Sequence, residues 1–80
     1  MTEPDREIDL RGEVCPITFA RTKLALEEMP RGQVLRVLVD HPESVDSVPR
    51  TLEAQGQDVL EVAEVEPGLW AIVVEKTRDG

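Results

Sequence analysis

Cys15 is the one cysteine of an 80-residue chain, and it stands in the run Asp9-Leu10-Arg11-Gly12-Glu13-Val14-Cys15-Pro16. An apolar–polar alternation ends at a glycine, the thiol follows, and a proline opens what reads as a helix. Proline suits the first helical position, where its missing N–H costs nothing and its φ is already set. Cys15 is then the N-cap, Pro16 N1, Ile17 N2 and Thr18 N3. Backbone N–H groups at a helix start point at the side chain, and a thiol pKa can fall there from about 8.5 into the range of roughly 3.5–7.5. The helix dipole favours the thiolate by about 0.3–1 kcal/mol at an exposed site, and the thiolate is the form that attacks sulfur. The chemistry on offer is nucleophilic sulfur chemistry at a single exposed atom.

Neighbouring residues could assist. Arg11 and Arg21 could add positive charge beside a thiolate. His41, the only histidine, could hydrogen-bond or protonate a group on Cys15. Thr18 at N3 carries an N–H that an N-cap side chain can bond. The plainer readings are solvated charges for the arginines, a solvent-facing turn for His41 and an inert core thiol for Cys15. The helix-start position argues against that last one. There is no second cysteine to resolve a disulfide, and one histidine with one cysteine cannot complete a tetrahedral metal site. No glycine-rich phosphate loop follows a strand. No metal or cofactor is expected. One nucleophile without pocket-building loops reads as a carrier, completed by a partner, rather than a self-sufficient enzyme.

The elements that must position this thiol follow from the hydrophobic pattern. Glu7 to Arg11 alternates and reads as a strand. Pro16 to Met29 reads as a helix with Phe19, Thr22, Ala25, Leu26 and Met29 on one stripe, Thr22 being its weakest member, and Pro30-Arg31-Gly32 ends it. Val34 to Asp40 is β-branched and aliphatic, a strand signal. After the Asp40-His41-Pro42 turn, Pro49 would break a continuous helix. The pattern therefore predicts a short turn over Glu43–Ser47 and a helix from Val48 to Gln55. Val59–Val65 and Leu69–Lys76 are strands joined by a Glu66-Pro67-Gly68 turn. The order βαβαββ predicts an α/β two-layer sandwich, a mixed four-stranded sheet with two helices on one face. Both crossovers are expected to join parallel neighbours, with Trp70, Ile72 and Val74 facing the helices. Cys15 and Asp40-His41 would then share the carboxyl edge of the parallel strands, where open α/β sheets gather reactive groups. Val34, Leu38 and Val73 would lie on the uncovered face, which could stay wet or pair two chains; a monomer is the default.

Composition bounds the rest. Residues 1–80 fit one small domain, with an ordered core of about residues 7–76 and polar tails at 1–6 and 77–80 that are expected to fray. A formal net charge of −8 opposes nucleic-acid and anionic-membrane binding. No stretch is long and apolar enough to span a membrane, and the charged N-terminus is no secretory signal. One cysteine cannot close an internal disulfide, so a reducing, cytoplasmic setting is the natural expectation.

Asp9-Leu10-Arg11-Gly12-x-x-Cys15-Pro16 resembles the signature of the TusA/SirA family of small sulfur-carrier proteins. The match continues through Arg21-Thr22-Lys23, Met29-Pro30-x-Gly32, Asp40-x-Pro42, Val48-Pro49, Gly56 and a final strand led by Trp70. The resemblance implies that Cys15 accepts sulfane sulfur as a persulfide and relays it to a partner protein's cysteine. It implies a donor such as a cysteine desulfurase or a rhodanese-like protein, and an acceptor sulfurtransferase. Such carriers feed tRNA thiolation, molybdenum-cofactor assembly or sulfur oxidation. Only Cys15 and Pro16 carry over as the motif itself. The family's motif is Cys-Pro-x-Pro, and this chain has Cys15-Pro16-Ile17-Thr18, which loses the ring that stiffens the first helical turn. Ile17 and Leu24, with Ala20 between them, lie opposite the buried stripe and could form a docking patch beside Cys15. The alternatives are a Cys-x-x-Thr thiol redox protein, and a non-catalytic binding or regulatory module on the same fold.

Overall fold

Alternating and continuous apolar runs sort the strands into edge and centre. In the computed structural model, which describes residues 4–14 and 17–77, the elements are β1 (Arg6–Asp9), α1 (Ile17–Glu27), β2 (Val34–Val39), α2 (Pro42–Ala54), β3 (Asp58–Glu66) and β4 (Leu69–Glu75). The sheet order is β1-β2-β4-β3. β1 runs parallel to β2, and β4 is antiparallel to both β2 and β3. This is the expected βαβαββ mixed sheet, with one correction. The second crossover does not join neighbours: β3 is placed one strand beyond β2, and β4 returns between them. Burial explains the order. β4 carries the unbroken apolar run Leu69–Val74 and belongs at the centre, whereas β3 carries Asp58, Glu61, Glu64 and Glu66 on largely exposed positions. Charges on an edge strand also oppose pairing with another chain.

The helices pack together over one face. Leu35, Val37 and Val39 from β2, and Ile72 and Val74 from β4, meet Ala25, Leu26 and Met29 from the α1 side and Val48 and Leu52 from α2. Trp70 packs against this cluster, as its strand phase predicts. The opposite face carries Leu38 and Val73, partly buried, together with the Glu7–Arg36 ion pair. Residues 5 and 6 do not belong to a frayed tail. The Asp5 N–H donates to the Val34 carbonyl, and the Val34 N–H donates to the Asp5 carboxylate, both at 2.8 Å.

The expected interruption of the second helix is also corrected. α2 is continuous from Pro42 to Ala54 with Pro49 inside it. A mid-helix proline removes one backbone bond. Here Pro49 lies on the buried face with Val48 and Leu52, so packing outweighs local propensity. At the β3–β4 hairpin, Gly68 takes a φ of 80°, which an L side chain adopts only with strain.

Candidate functional site

Because β1 and β2 are parallel, the β1–α1 and β2–α2 loops leave the sheet at one edge. A direct bond joins them: the Gly12 N–H donates to Oδ1 of Asp40 at 3.0 Å. Gly12 has a φ of 86°, a backbone conformation that an L side chain adopts only with strain. The expected meeting of the two loops is therefore a hydrogen bond.

Cys15 and Pro16 lie outside the described residues, and the site is defined by what flanks them. The Val14 carbonyl accepts the N–H of Ile17 at 2.8 Å and the N–H of Thr18 at 3.3 Å. The second bond has the four-residue span of an α-helix. The first helical acceptor is thus Val14, one residue earlier than the sequence pattern implies. The Thr18 N–H, expected to serve an N-cap side chain, is engaged by the backbone instead.

The Thr18 side chain is fully buried, and its Oγ1 lies 3.1 Å from Oγ of Ser44, also fully buried, in the first turn of α2. One turn along α1, Thr22 Oγ1 donates to the Thr18 carbonyl at 2.7 Å, so the weak member of the apolar stripe is buried and bonded. The stripe is better phased as Thr18, Thr22, Ala25, Leu26 and Met29. That four-and-three spacing back from Met29 was the signal that could have placed Thr18 inside. Ser44 had no such signal, because its burial depends on α2 beginning at Pro42.

The two arginines beside the loop are held by carboxylates. The Arg11 guanidinium straddles the Asp9 carboxylate, with Nη2 2.7 Å from Oδ2, and the Arg11 N–H adds a bond of 3.0 Å to Oδ1. Side-chain and backbone hydrogen bonds from Arg11 hold the Asp9 carboxyl below the usual range, and the same partner raises Arg11 above its own. Arg21 Nη1 lies 2.7 Å from Glu13 Oε2. His41 is half-buried and forms the N-cap of α2 through its backbone, with no capping bond from its side chain. Its Nδ1 is buried without a hydrogen-bond partner among the described residues.

The outer side of α1 is apolar where a surface helix would ordinarily be charged. Ile17 is 47% and Leu24 61% exposed. With Phe19, Ala20, Lys23 and Glu27 they line a shallow groove of about 500 Å³. Val14, 46% exposed, lies one position before Cys15 in the chain. A second groove, of about 390 Å³, separates α1 from the edge strand β1 and is bridged by the Arg6–Glu28 ion pair.

A short β1, two parallel-strand loops bonded at one edge and a helix starting just beyond the thiol fit the family that the signature suggested. The family model of Sulfurtransferase TusA matches residues 6–76. The chain belongs to the TusA family. It is 49% identical over 74 residues to a candidate sulfur carrier protein of Archaeoglobus fulgidus, covering 92% of this chain and 84% of that one. It is 42% identical over 69 residues to a similarly described protein of Thermotoga maritima, covering 86% and 87%. Among solved structures, the SirA-like protein of Desulfitobacterium hafniense superposes with a TM-score of 0.79 at 32% identity, covering 91% of this chain and 99% of that one. Similarity over nearly the whole length of each relative makes the TusA-family fold and its sulfur-carrier class common ground between them. No helix of the described residues is long and apolar enough to cross a membrane.

Proposed function

We propose that this TusA-family protein carries sulfane sulfur as a persulfide on Cys15 and relays it between two protein partners in the cytoplasm. The Cys15 thiolate attacks the terminal sulfur of a donor persulfide. The donor S–S bond breaks, its electron pair leaves on the donor thiolate, and a new S–S bond forms on Cys15. In the handoff an acceptor cysteine thiolate attacks the terminal sulfur in turn, and Cys15 leaves as thiolate. Neither step needs an external oxidant or reductant, because the sulfur moves without net electron transfer. The donor is a cysteine desulfurase or a rhodanese-like protein, and the acceptor is a sulfurtransferase.

The observation that carries this reading is the bonding of the two loops around the cysteine segment. Gly12 is tied to Asp40 three residues before Cys15, and Thr18 to Ser44 three residues after it. The outer face of α1 supports the docking of a relay partner. Ile17 and Leu24 offer it an apolar surface two and nine residues beyond the thiol, and Lys23 and Glu27 flank it with charges of both signs. Arg11 and Arg21 contribute through their carboxylate pairs to the loop's shape, so the positive field at the thiol falls mainly to the helix start.

The relay is tested by chasing persulfide-loaded protein with a peptide bearing one cysteine. Transfer to the outer sulfur moves one sulfur from the chain to the peptide, read by intact mass. Accumulation of a mixed disulfide with release of hydrogen sulfide would instead show attack at the inner sulfur and overturn the relay.

A further inference from the structure

We infer that the outer edge of β1 and the groove beside it form a strand-docking site. Its occupant is an extended segment of a partner protein, with apolar and basic residues in alternation, that adds to the sheet next to β1. The inference rests on the carrier reading for why a partner arrives. It goes beyond that reading by naming the form and chemistry of the segment that binds.

The sheet ends at β1 on one side and at β3 on the other. The outer side of an edge strand presents unpaired N–H and C=O groups, a template for another strand unless charges or bulges guard it. β3 is guarded. Asp58, Glu61 and Glu64 stand exposed on it, none of them in an ion pair among the described residues, and its pairing with β4 shifts register twice. β1 is open by comparison. It pairs with β2 without a register shift, and each of its charges is compensated within the molecule: Arg6 by Glu28, Glu7 by Arg36 and Asp9 by Arg11.

The groove of about 390 Å³ beside β1 gives side chains a place to go, with Ile8 and Leu10 on the strand side and Leu24 and Ala25 on α1. Main-chain bonds along an added strand give affinity, and pockets for its alternate side chains give specificity. Ile8 packs toward the core on the helix side, so Glu7 and Asp9 point to the open face. Every second side chain of an added strand therefore enters an apolar groove, and those between stand beside two carboxylates. Apolar and basic residues in alternation fit these two surfaces, and a formal net charge of −8 attracts a cationic segment. The Arg6–Glu28 pair spans the groove, but its side chains are 43% and 66% exposed. Such a pair adds little stability, so an incoming strand displaces it readily. Leu24 also lines the groove on the outer face of α1, which makes the two surfaces continuous. A second copy of this chain does not fit. In a two-fold antiparallel pairing centred on Arg6, Glu7, Ile8 or Asp9, like charges meet in every case, which is destabilising.

The experiment titrates the isotopically labelled full chain with the peptide Lys-Val-Lys-Val-Lys-Val-Lys and follows amide hydrogen exchange and intermolecular NOEs by NMR. A peptide of the same composition, with lysines and valines in separate blocks, is the control. The alternating peptide should slow exchange at β1 amides and give NOEs to the methyls of Ile8 and Leu24, and the block peptide should do neither. Two charge reversals of equal size separate the sheet edges. Glu7→Lys should weaken binding roughly fivefold, the scale of exchanging an attractive cross-strand pair for a repulsive one. Glu7→Gln should give a smaller loss and serves if Glu7→Lys disturbs folding. Glu61→Lys should change binding less than about twofold, because β3 lies three strand spacings from β1, roughly 14 Å, beyond the screening length at physiological salt. Protection centred on β3, equal effects of the two reversals, equal binding of the block peptide, or no protection at β1 with millimolar peptide would each overturn the site. Sulfur loading of the unaltered chain, read separately by intact mass, reports on the carrier role. Loading without peptide binding at β1 removes only the docking site, and binding without loading removes only the carrier role.

Discussion

The two helices cover the same sheet face yet expose opposite kinds of surface. α2 turns Ser44, Val48, Pro49 and Leu52 inward and shows solvent Glu43, Asp46, Arg50 and Glu53, with an Asp46–Arg50 ion pair along its surface. Burial of one stripe, apolar but for Ser44, accounts for that helix. α1 buries Thr18, Thr22, Ala25 and Leu26, including two hydroxyls, and shows solvent Ile17, Ala20 and Leu24 beside the charged Arg21 and Glu27. Three apolar residues on the outer face and two hydroxyls on the inner one depart from the usual arrangement. The departure occurs in the helix that follows Cys15. α2 is explained by folding, whereas the outer face of α1 calls for a partner and its inner face for a fixed first turn.

The contrast can be broken most forcefully from the folding side. Leu52→Ala removes a side chain only 1% exposed from the α2 stripe. It should lower unfolding free energy by about 2–5 kcal/mol in denaturant titrations. A loss within the surface range of about 0.5 kcal/mol would mean that α2 is not the stability element. The matching change on α1 is Leu24→Glu. Stability should stay within about 0.5 kcal/mol, while the rate of sulfur transfer from the native donor falls roughly tenfold, the scale of one lost interface anchor. Unchanged transfer would leave the apolar face of α1 without a partner.

The smallest effect concerns the loop itself. Asp9 has its carboxyl pulled below the usual 3.8 by Arg11. A depressed folded-state pKa contributes stability that is present above 3.8 and disappears as the pH falls through the lowered value. Both groups are exposed, so this contribution is screened and small. An NMR titration should find the Asp9 midpoint below 3.8 in the unaltered chain and shifted up toward it in Arg11→Gln. An unmoved midpoint would detach Arg11 from the loop's architecture.

Much of this was legible in the sequence because periodicity reports burial. The inward face of β4, the outward Ile17 and Leu24 and the shared edge of the two loops all follow from apolar phase and from parallel strands. What escaped was decided by long-range packing. Pro49 looked like a helix break, because local propensity cannot register the burial that Val48, Pro49 and Leu52 gain together. β4 inserts between β2 and β3 because β3 carries the acidic residues of an edge, a comparison between strands that no single strand displays. Thr18 was read only for its backbone N–H, and the buried serine its side chain meets lies 26 positions away. The Gly12–Asp40 bond was foreseeable only as proximity.

The central claim is that Cys15 is the atom on which sulfur travels. The most direct test is the intact mass of the full chain after incubation with a cysteine desulfurase and cysteine. The account predicts a gain of one sulfur in the unaltered protein, removed by a reducing thiol, and no gain in Cys15→Ser. An equal gain in Cys15→Ser, or none in the unaltered protein with an active desulfurase, would contradict it.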